Sequence, residues 1–163
     1  MTGIVEILLD SFKHEARQAR VVLHKARTAS PDYVPHNGMR TLLALVNHLS
    51  QIPTLDPAVY SRELATGDAV QKKEAELYRS DASDALRVFD EGVERTENRL
   101  SKMSDKELLE KNMLPFYDTG EAKNWAYYIP EMTRHLAMHK MQLWMYLKLG
   151  GLDVNMMTYY GVE

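Results

Sequence analysis

An all-α fold, specifically a four-helix bundle, is what the sequence predicts, and three observations carry that prediction. Apolar residues recur at three- and four-residue spacings over four long segments, the period of one helix face. No segment alternates apolar and polar residues between hairpin turns, as a half-buried strand would. Four amphipathic helices with one apolar stripe each are stable when the stripes face a common core. The chain has 163 residues and no internal repeat, low-complexity tract or linker, so the expectation is one domain, 1–163.

The first stripe runs Val5, Leu8, Leu9, Phe12, Ala16, Ala19, Leu23 and Ala26. The segment TASPDYVPHNG, with two prolines and a glycine, reads as a loop. Met39, Leu42, Leu45, Val46 and Leu49 predict a second, shorter helix, with Pro53 and Pro57 as its stop. A third stripe, Ala75 through Tyr78, Ala82, Ala85, Leu86, Phe89, Val93, Thr96 and Leu100 to Met103, is close to a heptad pattern and predicts one long helix with Asp68 as N-cap. Ser104-Asp-Lys-Glu107 fits a capping box for a short helical piece. The last helix is expected over about 121–149, with Pro130 implying a kink or a later start and Gly150-Gly151 closing it. The long connection between the second and third helices is long enough to cross the bundle, so simple up-down-up-down order is not required.

Composition narrows the function classes. The net charge of −3 and a pI near 6.1 argue against a nucleic-acid partner, since phosphate binding usually needs a basic face. There is no cysteine, so disulfides, thiolate ligands and a cysteine nucleophile are excluded. Any metal must be held by His, Asp or Glu. The N-terminal MTGIVEILLDSFKHE has no basic n-region, and no run of 18 apolar residues exists. The expectation is a soluble, cytoplasmic protein with no membrane partner.

Six histidines offer the chemistry. His135 and His139 stand four apart, so they share a helix face and can converge on one ion. That face is the apolar one, among Met132, Leu136 and Leu143. Two polar rings on a buried stripe need partners, because an unpaired buried imidazole is costly. A metal would supply them; core hydrogen bonds would too. His48, in LLALVNHLSQ, sits at the edge of the second stripe and could supply a third nitrogen. Three neutral imidazoles with open positions suit Zn²⁺, Ni²⁺ or Fe²⁺. The metalloprotease pattern HExxH fails because position 136 is Leu, and no Glu stands three before a His, as a di-iron bundle requires. His14, His24 and His36 read as solvated or locally bonded. Glu131, four before His135, reads as a favourable charge near a helix start rather than a carboxylate orienting an imidazole.

His48 on a second helix, followed by His135-x-x-x-His139-Lys140-x-Gln142-Leu143-x-x-Tyr146-Leu147-Lys148-x-x-Gly151, resembles the signature of the DinB-like superfamily. The terminal Tyr160-Gly161 resembles a short ending seen in many members. The resemblance implies a four-helix bundle of up-down-down-up topology, a divalent metal held by His48, His135 and His139, and a homodimer. Members of known activity include metal-dependent transferases and isomerases that use low-molecular-weight thiols; many have no established activity. Lys140 and Lys148 stand where arginine is frequent, replacing a planar donor by a point charge. The segment LSQIPTLDP lacks the acidic-aromatic run common beyond that histidine, which leaves the substrate class open.

Three functional expectations follow. One is a metal-dependent transferase acting on a small-molecule substrate with a thiol co-substrate, in which Gln142 bonds a ligand ring or faces a neighbouring helix. The second is a non-enzymatic dimeric metal-binding or stress-related bundle. The third is a bundle without metal. The sequence names no acid or base catalyst.

Overall fold

The structure, a computed structural model, describes residues 3–162. Its helices are α1 (Ile4–Ala26), α2 (Leu42–Tyr60), α3 (Gly67–Leu77), α4 (Ala82–Leu100), α5 (Asp105–Leu109), α6 (Trp125–Leu149) and α7 (Met156–Tyr159). Among the described residues the one non-helical pairing is an isolated antiparallel bridge between Met113 and Lys123.

The four long helices form the bundle. Helix α1 packs on α4 and α6, and α2 packs on the same two, so α1 and α2 lie diagonally opposite. Contacts fix the directions. Arg20 pairs with Asp90 and Arg27 with Ser83, so α1 and α4 are antiparallel. His48 meets His139 and Asp56 meets His135, so α2 and α6 are antiparallel. Lys140 reaches Glu15 and Gln18 from α6. Ile129 and Pro130 share a groove with Leu8 and Ser11, so α1 and α6 run together. The order is up-down-down-up, with the crossover between α2 and α4.

The core is the set of stripes read from the sequence: Phe12, Ala16, Ala19, Leu23 and Ala26 on α1, Leu45, Val46 and Leu49 on α2, Ala85, Leu86 and Phe89 on α4, and Met132, Leu136, Leu143 and Leu147 on α6. Three boundaries differ from the expectation. Helix α2 does not stop at its prolines; Pro53 and Pro57 lie inside it, and it runs to Tyr60. Pro57 has no N–H for the carbonyl of Pro53, and the Thr96 hydroxyl of α4 donates to that carbonyl instead, at 2.7 Å. An interior proline costs about 3 kcal/mol. Burial of Leu55, Val59 and Tyr60 beyond the first proline returns about 1.5–3 kcal/mol each, so packing outweighs propensity. Gly92 allows the close approach of α4 here: a Cβ on it would stand 2.7 Å from Thr54 Oγ1 and 3.2 Å from the Pro53 Cβ.

The predicted long third helix is two helices. Helix α3 ends at Leu77, Tyr78 is extended (ψ 137°), and Asp81 caps α4 by accepting from the N–H groups of Ser83 and Asp84. Asn47 of α2 seizes the break, accepting from the Arg79 N–H at 2.7 Å and donating to its carbonyl at 2.8 Å. Thr66 is the N-cap of α3, with Asp68 in its first turn rather than at the cap. Helix α6 starts late, at Trp125 behind Asn124 as N-cap, with Pro130 inside it. The Ser104–Glu107 capping box is present. Gly151, at φ 84°, accepts the left-handed turn that closes α6: its N–H bonds to Lys148 and that of Leu152 to Leu147.

Candidate metal centre

The extension of α2 through its prolines builds the site. His48, Ile52, Asp56 and Tyr60 follow one another at four-residue steps along one face of α2. The antiparallel α6 presents His139, His135 and Tyr128 to that face. His48 therefore meets His139, Asp56 meets His135, and Tyr60 stacks on Tyr128 with ring centroids 4.4 Å apart.

His48, His135 and His139 converge. Each offers a ring nitrogen, and the three lie within 4.8 Å of one another. His48 Nε2 and His139 Nε2 are 3.1 Å apart. Two nitrogens at about 2.0–2.1 Å from a common ion, at tetrahedral to right angles, stand roughly 3.0–3.4 Å apart, so this spacing is that of two ligands on one ion. The cluster could hold a metal ion.

Two neighbours set the protonation of the rings. His135 Nδ1 donates to Asp56 Oδ2 at 2.9 Å, and His139 Nδ1 donates to Gln142 Oε1 at 2.9 Å. A carboxylate only accepts, so the proton of His135 is on Nδ1 and its Nε2 lone pair is free; the amide oxygen does the same for His139. In the metal-free protein His48 is then the donor to His139 Nε2, and a bound cation would displace that proton. Burial lowers the His48 pKa to about 3, helped by the positive forms of His139, Arg40 and His135. Burial also lowers that of His139, opposed by its bond to Gln142. Burial thus favours the neutral forms of His48 and His139, and the neutral ring is the form that binds metal.

Asp56 Oδ2 also accepts from the Tyr60 hydroxyl at 3.1 Å. Burial and the Asp56 charge push the Tyr60 pKa upward, so the phenol stays protonated and holds the carboxylate in place. Sequence reasoning missed both Asp56 and Tyr60, because it ended the helix at Pro53. Of its two readings of Gln142, the bond to a histidine ring is the one observed, on His139. Glu131 pairs with Arg134, not with an imidazole. His14 is exposed and bonded to Gln18 at 2.8 Å, and His36 to the Asn37 carbonyl at 3.0 Å, both as expected.

Two cavities flank the cluster, and His48 and Glu74 line both. One, of about 270 Å³, is walled by Ile52, Leu55, Val59, Tyr60, Phe116 and Tyr117, with Asp56 and His135 at its floor. Its aromatic rim comes from the 112–124 loop, held by the Met113–Lys123 bridge and by Asp118, which accepts from Gly120 N–H and Lys123 Nζ. The other, of about 600 Å³, is more open and is bounded by Arg40, Asn47, Gln51, Gln71 and Tyr78.

Fold and site together define a class: an up-down-down-up helical bundle with three imidazoles from two antiparallel helices, opening on two cavities. The fold recurs among solved structures. A crystal structure of a candidate member of the DinB family from Exiguobacterium sibiricum matches the chain with a TM-score of 0.75 at 20% identity, covering 95% of this chain and 97% of that one. The chain therefore has the fold of that DinB-family structure. No protein-family model matches, and no curated protein matches. Among the described residues, no helix is long and apolar enough to cross a membrane.

Proposed function

We propose that the protein is a metal-dependent enzyme of the DinB-like type, a transferase that uses a low-molecular-weight thiol at a divalent ion held by His48, His135 and His139. The observation that carries the reading is the convergence of three imidazole nitrogens within 4.8 Å, two of them with tautomers fixed by Asp56 and Gln142. Structural metal sites are closed by four protein ligands, whereas three ligands beside a cavity leave room for a substrate. A divalent ion bound there, Zn²⁺, Ni²⁺ or Fe²⁺, supplies Lewis acidity that lowers the pKa of a thiol or water.

The protein's own residues do the rest. Asp56 and Gln142 hold two rings in the ligating tautomer and orientation, and Tyr60 holds Asp56. Phe116, Tyr117, Val59 and Leu55 exclude water from one side and offer an apolar surface to a substrate group. The chain has no cysteine, so the thiol comes from outside. Co²⁺-substituted protein tests the reading. A new near-ultraviolet band on adding 2-mercaptoethanol supports thiolate binding, and turnover of electrophilic substrates with a panel of thiols supports the transferase. Absence of both sinks it.

A second reading, a non-enzymatic dimeric metal-binding or stress-related bundle, is favoured by the outer face of α6. Met138, Met141, Met145 and Leu149 form an exposed apolar stripe there, from 40% to 61% accessible, of the kind that a second copy covers. Trp144 is not part of it, being buried with its indole N–H donating to the Asn155 carbonyl. Light scattering distinguishes a dimer from a monomer, and loss of the dimer in Met141→Glu would place the contact on this stripe.

A further inference from the structure

We propose that the larger, more open cavity beside His48 is a carboxylate-binding subsite built around Arg40, which takes the anionic end of a small ligand whose other end lies at the histidine cluster. The identity of that other end rests on the metal reading above; the subsite itself does not.

The argument starts from the sequence. Arg40 immediately precedes Thr41, the N-cap of α2, whose hydroxyl accepts from the Ala44 N–H. Its backbone is pinned, since the Tyr146 hydroxyl donates to the Arg40 carbonyl at 3.2 Å. The residue is therefore anchored to α6 while its side chain is exposed. Among the described residues no carboxylate pairs with its guanidinium, whereas Arg20, Arg87, Arg99 and Arg134 all have acidic partners. Its charge nevertheless acts on His48, His139 and Tyr146, which places it at the site.

The cavity supplies the rest. It has about 600 Å³, enough for a small organic acid, and several polar side chains line it: Asn47, Gln51, Gln71 and Tyr78 beside Arg40. The Asn47 amide N–H groups are taken by the Leu43 and Arg79 carbonyls, and Gln51 Nε2 donates to the Glu74 carbonyl. Arg40 is thus the one cationic group lining this cavity, and a planar guanidinium matches a carboxylate in two parallel hydrogen bonds. Glu74 is the one acidic group there, and it also lines the aromatic cavity, as His48 does and Arg40 does not. Its charge repels an anion from the junction of the two cavities. A bound molecule is therefore oriented with its carboxylate towards Arg40 and its neutral end towards His48 and Glu74. The aromatic cavity is left for an apolar group, so the two cavities offer separate places for two reactants of different polarity.

The test uses two thiols that differ in the carboxylate: 3-mercaptopropionate and 2-mercaptoethanol. Each is titrated into ¹⁵N-labelled protein, both metal-free and zinc-supplemented, and amide shifts are followed by NMR. 3-Mercaptopropionate is expected to bind about tenfold or more tightly than 2-mercaptoethanol, as one charge-assisted bidentate pair warrants. Its shifts should centre on Arg40, Ala44, Gln51, Gln71 and Ala75. Arg40→Met should abolish the preference and Arg40→Lys should keep part of it, with helix content unchanged because the side chain is exposed. Equal affinity for the two thiols in wild type, an undiminished preference in Arg40→Met, or shifts centred elsewhere would overturn the subsite. The metal-free arm keeps the two claims apart. A carboxylate preference that survives where zinc does not bind upholds the subsite and refutes the metal, whereas zinc binding without the preference refutes the subsite alone.

Discussion

His139 and Lys140 are adjacent in sequence, yet α6 turns them towards diagonally opposite helices, and the two polar clusters they enter are built on opposite principles. Lys140 is 1% exposed and faces α1. Its ammonium forms an ion pair with Glu15 Oε1 at 2.8 Å, donates to Gln18 Oε1, and lies over the Tyr159 ring at 4.0 Å. Counter-charge, acceptor and π-face are all supplied by the chain. The cluster also docks the C-terminal segment, where Gly161 at φ 74° lies so close that a Cβ would come within 3.1 Å of the Gln18 Cα. His139 faces α2 and is the reverse case. Its Nδ1 proton is satisfied by Gln142, but its Nε2 faces only the ring nitrogens of His48 and His135, and the bond from His48 is one a cation would displace. A buried polar group that is satisfied holds a fold together; one whose partners are all of its own kind awaits a ligand.

Breaking the closed cluster should cost the most stability. Lys140→Met leaves the Glu15 carboxylate buried without its counter-charge, a loss of about 3–5 kcal/mol. Urea or thermal melts should show Tm falling by about 10 °C. The double variant Lys140→Met/Glu15→Gln should recover most of it, while metal affinity stays near wild type in both. A fall in metal affinity matching the fall in Tm would mean that the two clusters are not separate.

Breaking the open cluster should do the opposite. His139→Ala is expected to change the stability of the metal-free protein by less than about 1 kcal/mol. It should lower zinc affinity beyond the ~10–100-fold that loss of an orienting residue causes. Asp56→Asn and Gln142→Leu remove only that orientation, so each should lower zinc affinity by about 10–100-fold, read by competition with a chelator. Unchanged affinity in both variants would remove the tautomer argument.

A further effect is in pH. In the metal-free protein His48 has a pKa near 3 when folded, below its ordinary value of 6.5. Between those values the unfolded chain binds a proton that the folded chain does not, so stability rises with pH across that window and is fully present above it. As pH falls below 6.5 the metal-free protein should lose this contribution, and His48→Gln should flatten the slope of Tm against pH. An equal slope in the variant would show that His48 is not held neutral by its surroundings.

Much of the bundle was legible because its stripes obey one period: Phe12 to Ala26 and Leu136 to Leu147 are where the spacing puts them. The three ring positions were legible for the same reason, lying at or beside those stripes. What was not legible came from tertiary compensation. Pro53 and Pro57 signal a helix end locally, and only Thr96, 43 residues away, makes the continuation possible. Ending α2 early hid Asp56 and Tyr60, and with them the carboxylate that orients His135. The break at Tyr78 was masked by a stripe that runs on through it, although Ser80-Asp81 carried a capping signal. Lys140 was read as a departure from a family pattern rather than as a core residue, because nothing local to it announces Glu15 or Gln18.

The central claim is that His48, His135 and His139 form one metal site. Metal analysis of untagged wild-type protein beside His139→Ala, with melting curves before and after zinc addition, tests it most directly. The account predicts about one ion per wild-type chain, a Tm rise of several degrees at zinc well above its dissociation constant, and neither in the variant. Wild-type protein that binds no metal, with a melting temperature indifferent to zinc, would contradict it.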